Sequence, residues 1–436
     1  MKRALFFWNE LKSSFWLVPI AIILISIGLA LLTIYIDSQH PLEITGTFKY
    51  LFNRSAESAR SVLSTISGAM IGVAGTVFSI TLVALTLASS QFGSRLLRNF
   101  MHERINQVVL GTYISTYVYC LLVLNVIEDK GDIAFVPSLS VLVAILAAIA
   151  NIVLLIVFIH HISMSIQADK VISDISRALS ANVKSLYPEK LGREQNEDLQ
   201  ISIDEKVESF AWDSEITSNK YGYLQYIDTK LIMQIATDND LLLLLPRRPG
   251  DFLVKGMGLV KVYSNKSLTE EIENQLLDSF IVGEVRTPQQ DTEFSIHQMV
   301  EIASRALSPG INDPFTAIAC IDNLTSVMVN LTDTEFPSKY RLDKNQKLRV
   351  VSNPLNFDGM LDAAFNQIRQ FAAESPSVLI RLIEALKIIH AQANTNAQEY
   401  AVKRHAKMLL RTARNHLSEP DDFSDFKKRC TWFVEA

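Results

Sequence analysis

The sequence predicts an α-helical polytopic membrane domain of four transmembrane helices, joined to a cytoplasmic α+β domain with a small β-sheet or barrel and a helical C-terminal region. Three observations predict it. Four uncharged apolar runs lie within the first 165 of 436 residues. Charge is unevenly spread: residues 1–165 hold 10 Lys and Arg against 8 Asp and Glu, and the remainder holds 31 against 38. Past residue 198 the apolar spacing turns β-like and then helical. The expected divisions are a membrane domain over 1–165, a connecting helix over 166–198, a small β domain over 199–266 and a helical domain over 267–436.

The first run, about 15–36, follows Lys2, Arg3 and Lys12. It is longer than a signal-peptide core and no small-residue cleavage site follows, so a retained span is expected. Phe6, Phe7, Trp8, Phe15 and Trp16 form an interfacial aromatic cluster beside it. The second run, 61–94, has no charge in 34 residues. As a helix it reaches roughly 51 Å, against about 30 Å of hydrocarbon. Ser61, Gly68, Gly72, Gly75, Thr76 and Ser79 recur on one of its faces, and Gly68 with Gly72 makes a GxxxG pair. Such a face either packs against a helix or lines a wet path.

Residues 95–104 (RLLRNFMHER) are basic and amphipathic, as a headgroup-facing helix or a plain cytoplasmic loop would be. The third run is about 105–127 and the fourth about 133–159, with an acidic connection between them. Basic residues before the first run, between the second and third, and after the fourth fall on one side of the membrane. Lys49, Arg54 and Arg60 weaken the pattern without reversing it. Both termini are therefore expected in the cytoplasm.

None of the four runs contains Asp, Glu, Lys, Arg or His. Proton- or sodium-coupled carriers keep such groups at mid-membrane, so that class is disfavoured, while a channel walled by hydroxyls and backbone is not. Cys120, Cys320 and Cys430 fit neither a disulfide framework nor a zinc site. No metal and no cofactor is expected, and the charge balance argues against nucleic acid. His160 and His161 are adjacent, read as an interfacial pair before a metal or pH site, since neighbours in a helix point apart.

In the polar half, YGYLQYID (221–228), LLLLLP (241–246) and RRPGDFLVKGMGLVKVY (247–263) read as strands and turns. Arg247 and Arg248 stand in a turn, solvated or cradling an anion. Helices are expected at 268–283, 294–307, 315–331, 356–374, 377–394 and 396–417, with an extended stretch near 340–352. Lys403, Arg404, Lys407, Arg411 and Arg414 stripe the last of these, a solvated face or a surface for an acidic partner.

SPGINDP (308–314) admits two readings. In the first, Gly310 ends one helix, Asn312 or Asp313 caps the next, and Pro314 takes its first turn. In the second, Arg286, Asp291, Glu301, Arg305, Ser308, Asn312 and Asp313 converge on a ligand or a subunit contact. SRALSPGINDPFTA (304–317) resembles the signature of an uncharacterised bacterial family of predicted integral membrane proteins. VFSITLVALTLASSQFGSRLLRNF (77–100), GYLQYID and PGDFLVKG are similar to other parts of that family. Ser94 stands where the family often has proline. The resemblance implies architecture and a bacterial origin, and it supplies no catalytic residues; the expected location is the bacterial inner membrane.

Three functions follow for weighing. The first is a homo-oligomeric channel or pore for ions or small solutes. The second is a membrane-anchored sensor or assembly scaffold without conductance. An enzyme ranks last, because no Walker, GxGxxG, HExxH, GxSxG or CxxC motif is present. Its first candidates are Asp291, Glu301, Arg305 and Asp313.

Overall fold

The computed structural model describes residues 16–39, 55–93, 104–130, 133–165, 167–186, 203–334 and 336–434. The aromatic cluster before Trp16 and the basic stretch 95–103 lie outside these residues. The chain forms two compact units, Met1–Lys170 and Val171–Ala436.

The first unit holds four long helices: α1 (Leu17–Gln39), α2 (Ala56–Phe92), α3 (Arg104–Val126) and α4 (Ser138–Ser165). A short antiparallel hairpin, β1 (Glu128–Lys130) and β2 (Ile133–Phe135), joins α3 to α4. All four helices are long and apolar enough to cross a membrane. Helix α3 is the inner one, packed against the other three. Its Gly111 marks a close approach: a Cβ there would lie 2.9 Å from Pro19 Cα on α1.

Helix α2 starts at Ala56, capped by the Ser55 hydroxyl, five residues before the uncharged run begins. The extra turn takes in Arg60, whose guanidinium donates to the Ile127 carbonyl at 2.7 Å. Gly93 closes the helix in the left-handed region, φ 101°. At 37 residues the helix is roughly 55 Å long. Helix α4 starts at Ser138 rather than 133, because Asp37 of α1 supplies its cap. The Asp37 carboxylate accepts from the Leu139 and Ser140 amides at 3.0 and 2.9 Å and from the Ser140 hydroxyl at 2.7 Å.

Helix α5 (Ala168–Leu186) runs across the boundary between units and buries Ile172, Ile175, Leu179 and Val183. In the second unit a one-and-a-half-turn α6 (Ile203–Glu208) precedes β3 (Trp212–Thr217), β4 (Gly222–Ile227), α7 (Thr229–Asp238), β5 (Leu242–Leu245), β6 (Phe252–Leu253) and β7 (Gly258–Ser264). Then come α8 (Glu270–Asp278), β8 (Phe280–Gly283), α9 (Thr292–Ala306), α10 (Pro314–Thr332), β9 (Tyr340–Leu342) and β10 (Leu348–Ser352). Five helices close the unit: α11 (Phe357–Phe371), α12 (Pro376–Ala391), α13 (Asn396–His416), α14 (Pro420–Lys428) and α15 (Thr431–Val434).

The strands make two open sheets, not a barrel: β3-β7-β5-β10-β9 and β6-β4-β8. Strands β8, β9 and β10 come from beyond residue 266, so sheet and helices interleave along the chain. Strand β5 sits third in its sheet, antiparallel to β7 and parallel to β10. That position explains its unbroken leucines: Leu242, Leu243 and Leu245 are buried, as an interior strand covered on both faces requires.

Helices α9 to α13 pack together, α10 against α9 and α12, and α13 against α11 and α12. Helix α10 also has the length and composition of a span, the least apolar of five. Its Ala317, Cys320, Ile321, Leu324, Val327, Met328 and Leu331 are all buried. His405 of α13 is enclosed as well, its Nε2 3.0 Å from Asp362 Oδ1 on α11.

Candidate functional site

The small-residue face of α2 lies opposite its buried face. Ala59, Leu63, Ser67, Met70, Ala74 and Val77 recur every three or four residues and are buried; several join clusters with residues of α3 and α4. Ser61, Gly68, Gly72, Gly75, Thr76 and Ser79 fall between them and are all exposed. A Cβ built on Gly68, Gly72 or Gly75 meets nothing within 4 Å. Among the described residues, then, no helix meets the GxxxG pair, whereas α1 meets α3 at Gly111. Thr65, Thr76 and Thr86 donate to the carbonyls four residues back, at 2.7, 3.2 and 2.9 Å, so these three hydroxyls have only lone pairs left to face outward.

Inside the same unit is an uncharged polar core. Asn151 of α4 is fully buried. Its amide donates to Thr116 Oγ1 at 2.8 Å, while its Oδ1 has no partner. Tyr113 donates to the Asn151 backbone carbonyl at 2.6 Å, and Tyr119 links Thr33 of α1 to the Ser140 carbonyl of α4. The signal in the sequence was a lone Asn within an otherwise apolar run.

The seven residues expected to converge around SPGINDP form two groups. Asp291 caps α9, accepting from the Phe294 amide at 3.0 Å, and takes a bidentate pair from Arg286 at 2.7 and 2.9 Å. Burial works against the Arg286 cation, but its hydrogen bonds to the Asp291 carboxylate outweigh it and raise its pKa. Gly250 makes room for the pair: at φ 100° its Cβ would lie 2.5 Å from Asp291 Oδ2. At the other end of α9, Arg305 pairs with Glu301 at 3.5 Å and Ser308 donates back to the Arg305 carbonyl. The 15 residues of α9 hold the groups roughly 22 Å apart. One end of α9 thus carries Arg286 with Asp291, and the other Arg305 with Ser308.

SPGINDP itself is a capped helix junction. Asp313 accepts from the Phe315 and Thr316 amides, both at 3.1 Å, and from the Thr316 hydroxyl at 2.6 Å. Those bonds, the hydroxyl's first, hold its carboxyl below the usual range, and Pro314 occupies the first turn. The carboxylate fills the helix N-terminus that an anion would need. Asn312, not Gly310, takes the left-handed turn, at φ 50°. Its neighbour Phe315 is 79% exposed.

Elsewhere, Arg248 pairs with Glu293 at 3.2 Å. His161 Nε2 lies 3.4 Å from the Ser165 hydroxyl, and His160 is exposed. The three cysteines are buried and free. Among the described residues no three His, Cys, Asp or Glu gather in a metal-binding group. On α13, Lys403 pairs with Glu399 at 3.4 Å, and Arg404 pairs with Asp358 and Asp362 of α11 at 2.7 and 2.9 Å.

Comparison with known proteins agrees with the apolar helices. Residues 12–388 match a family described as "Predicted membrane protein (DUF2254)". An uncharacterized protein of Mycobacterium bovis and an uncharacterized protein of Mycobacterium tuberculosis are each 30% identical over 422 residues, which is 95% of this chain and 79% of theirs. No solved structure matches the chain. With the family matched across most of its length and apolar helices of spanning length in its first unit, the chain belongs to the DUF2254 family of predicted membrane proteins.

Proposed function

We propose that this is a multi-pass protein of the bacterial inner membrane that assembles from identical copies into a channel for ions or small solutes. Four helices, α1 to α4, cross the bilayer; α10 is read as a core helix of the second unit, since its apolar face is buried there. Both termini and the second unit lie in the cytoplasm, where the second unit regulates opening. The observation that carries this reading is the open face of α2. Three glycines and flanking hydroxyls form a smooth stripe that no helix among the described residues covers. In lipid, small residues gain by close helix contact, so a second copy is the natural cover. A ring of such contacts places α2 beside a central axis, where hydroxyl lone pairs and backbone form the wall.

The test is reconstitution of the full chain in liposomes. Conductance or solute release under voltage, tension or osmotic shock is expected, together with an oligomer on cross-linking. A Cβ at Gly72 meets nothing within 4 Å among the described residues, so Gly72→Leu should leave the monomer folded while altering assembly and flux. Absence of flux from the wild-type protein under all three stimuli overturns the channel. The second reading, a sensor or scaffold, is favoured by the same threonine-to-backbone bonds, which suit dry packing. It predicts the oligomer and its loss in Gly72→Leu, but no conductance.

A further inference from the structure

Helices α11 and α13 run side by side in the same direction, because Asp358 and Asp362 meet Arg404 while Arg369 meets Thr412. The pairing at one level is ordinary: Asp362 against Arg404. Two turns on, the register repeats, with position 369 following 362 by seven and position 411 following 404 by seven. There the chain sets arginine against arginine. Arg369 donates one N–H to Thr412 Oγ1 at 2.9 Å, and its Nε is buried with no acceptor. Neither Arg369 nor Arg411 has an ion pair among the described residues, nor do Lys407 and Arg414 on the same stripe of α13. Burial and the neighbouring Arg411 push the Arg369 pKa down, the sign of a cation lacking its counter-charge.

A structural role accounts for part of this. Arg369 and Arg414 sit in the last turns of their helices and oppose the negative C-terminal ends. Asn366, one turn before Arg369, has a free Oδ1 that can accept one N–H. Neither explains Arg411, which stands before the last turn and faces another guanidinium. A half-buried guanidinium with an unused edge, beside a second one, is the arrangement that phosphate oxygens fit in bidentate fashion.

We propose that the Arg369–Arg411 pair, with Lys407 and Arg414 on the same stripe of α13, binds a phosphate-bearing anion, either a soluble phosphorylated small molecule or a phospholipid headgroup. The anion supplies the charge that Asp362 supplies to Arg404 two turns earlier. The inference is independent of the channel reading, since it concerns the second unit alone.

The experiment uses the full chain in a neutral detergent. Pyrophosphate and, separately, dihexanoyl phosphatidic acid are titrated by calorimetry against sodium chloride at matched ionic strength. Saturable binding of at least one is expected, weakened tenfold or more by Arg411→Gln and by Arg369→Gln. Lys428→Gln removes an exposed cation elsewhere and should bind as wild type does. Preference for pyrophosphate identifies a soluble ligand, and preference for the lipid a headgroup. In phosphate-free buffer, Arg411→Gln should raise the melting temperature, because it relieves the repulsion. If neither probe saturates, or if Arg411→Gln binds as tightly as wild type, the inference is overturned. Arg411 is exposed, so its variant tests the idea even if Arg369→Gln does not fold.

Discussion

The substitution His405→Gln should flatten the response of the second unit to mild acid. Burial pushes the His405 imidazole down to about 4 from the ordinary 6.5; Arg404 adds to the effect, and Asp362 opposes it. The ring is thus neutral at pH 7, with its Nε2 3.0 Å from Asp362 Oδ1. Unfolding releases it to its ordinary value. Between pH 6.5 and 4 the unfolded chain therefore binds more protons than the folded one, and stability falls as pH falls. The full window is worth about 3 kcal/mol, and about 2 kcal/mol of it is lost between pH 7 and 5. Asp362 acts elsewhere: burial works to raise it, but bonds from Arg404 and Asn366 prevail and hold it low, so its stabilisation disappears only below the carboxylate range. His390 is also pushed down, by burial and then Lys403, and leaves a residual slope of the same sign in the variant. The assay is denaturant unfolding of the full chain in detergent at pH 7 and pH 5, followed by tryptophan fluorescence. Wild type should lose about 2 kcal/mol more than His405→Gln does. Equal losses in the two proteins refute the reasoning.

Three further outcomes are expected. Gly111→Leu drives a side chain into the α1 backbone, already 2.9 Å from a bare Cβ. It should cost about 1–3 kcal/mol, or part the two helices, in thermal unfolding in detergent. Asp37→Leu strips the cap from α4, leaving the Leu139 and Ser140 amides without an acceptor, and should cost about 1–2 kcal/mol in the same assay. Asp313→Ala should cost about 1–2 kcal/mol, whereas Asp313→Asn, which keeps an acceptor for the α10 amides, should cost less than half of that. A larger loss in the asparagine variant than in the alanine one contradicts the cap.

The apolar helices were legible because an uncharged run needs only length to declare itself. Their ends were not. Arg60 breaks the apolar pattern yet lies inside α2, since its long side chain reaches the Ile127 carbonyl. The start of α4 depends on Asp37, which stands about a hundred residues earlier and carries no local signal of that duty. At SPGINDP the cap and the proline were readable, because each acts on its immediate neighbours. The placing of Arg286 and Arg305 was not legible for the opposite reason: spacing along the chain does not reveal that a straight helix stands between them. Periodicity showed that α2 has a small-residue face, but not which way it points. Gly111 stands in no motif, and its close contact with Pro19 emerges only from packing.

Strand β10 has a bearing on how the second unit is made. It fills the slot between β5 and β9, although β5 leaves the ribosome some hundred residues sooner. Until that late segment emerges, β5 offers a bare leucine-rich edge of the kind that sticks to other nascent chains. A message interrupted before residue 352 would release just such a product, so stalled or truncated synthesis is expected to yield aggregates and calls on chaperones, not partly working protein.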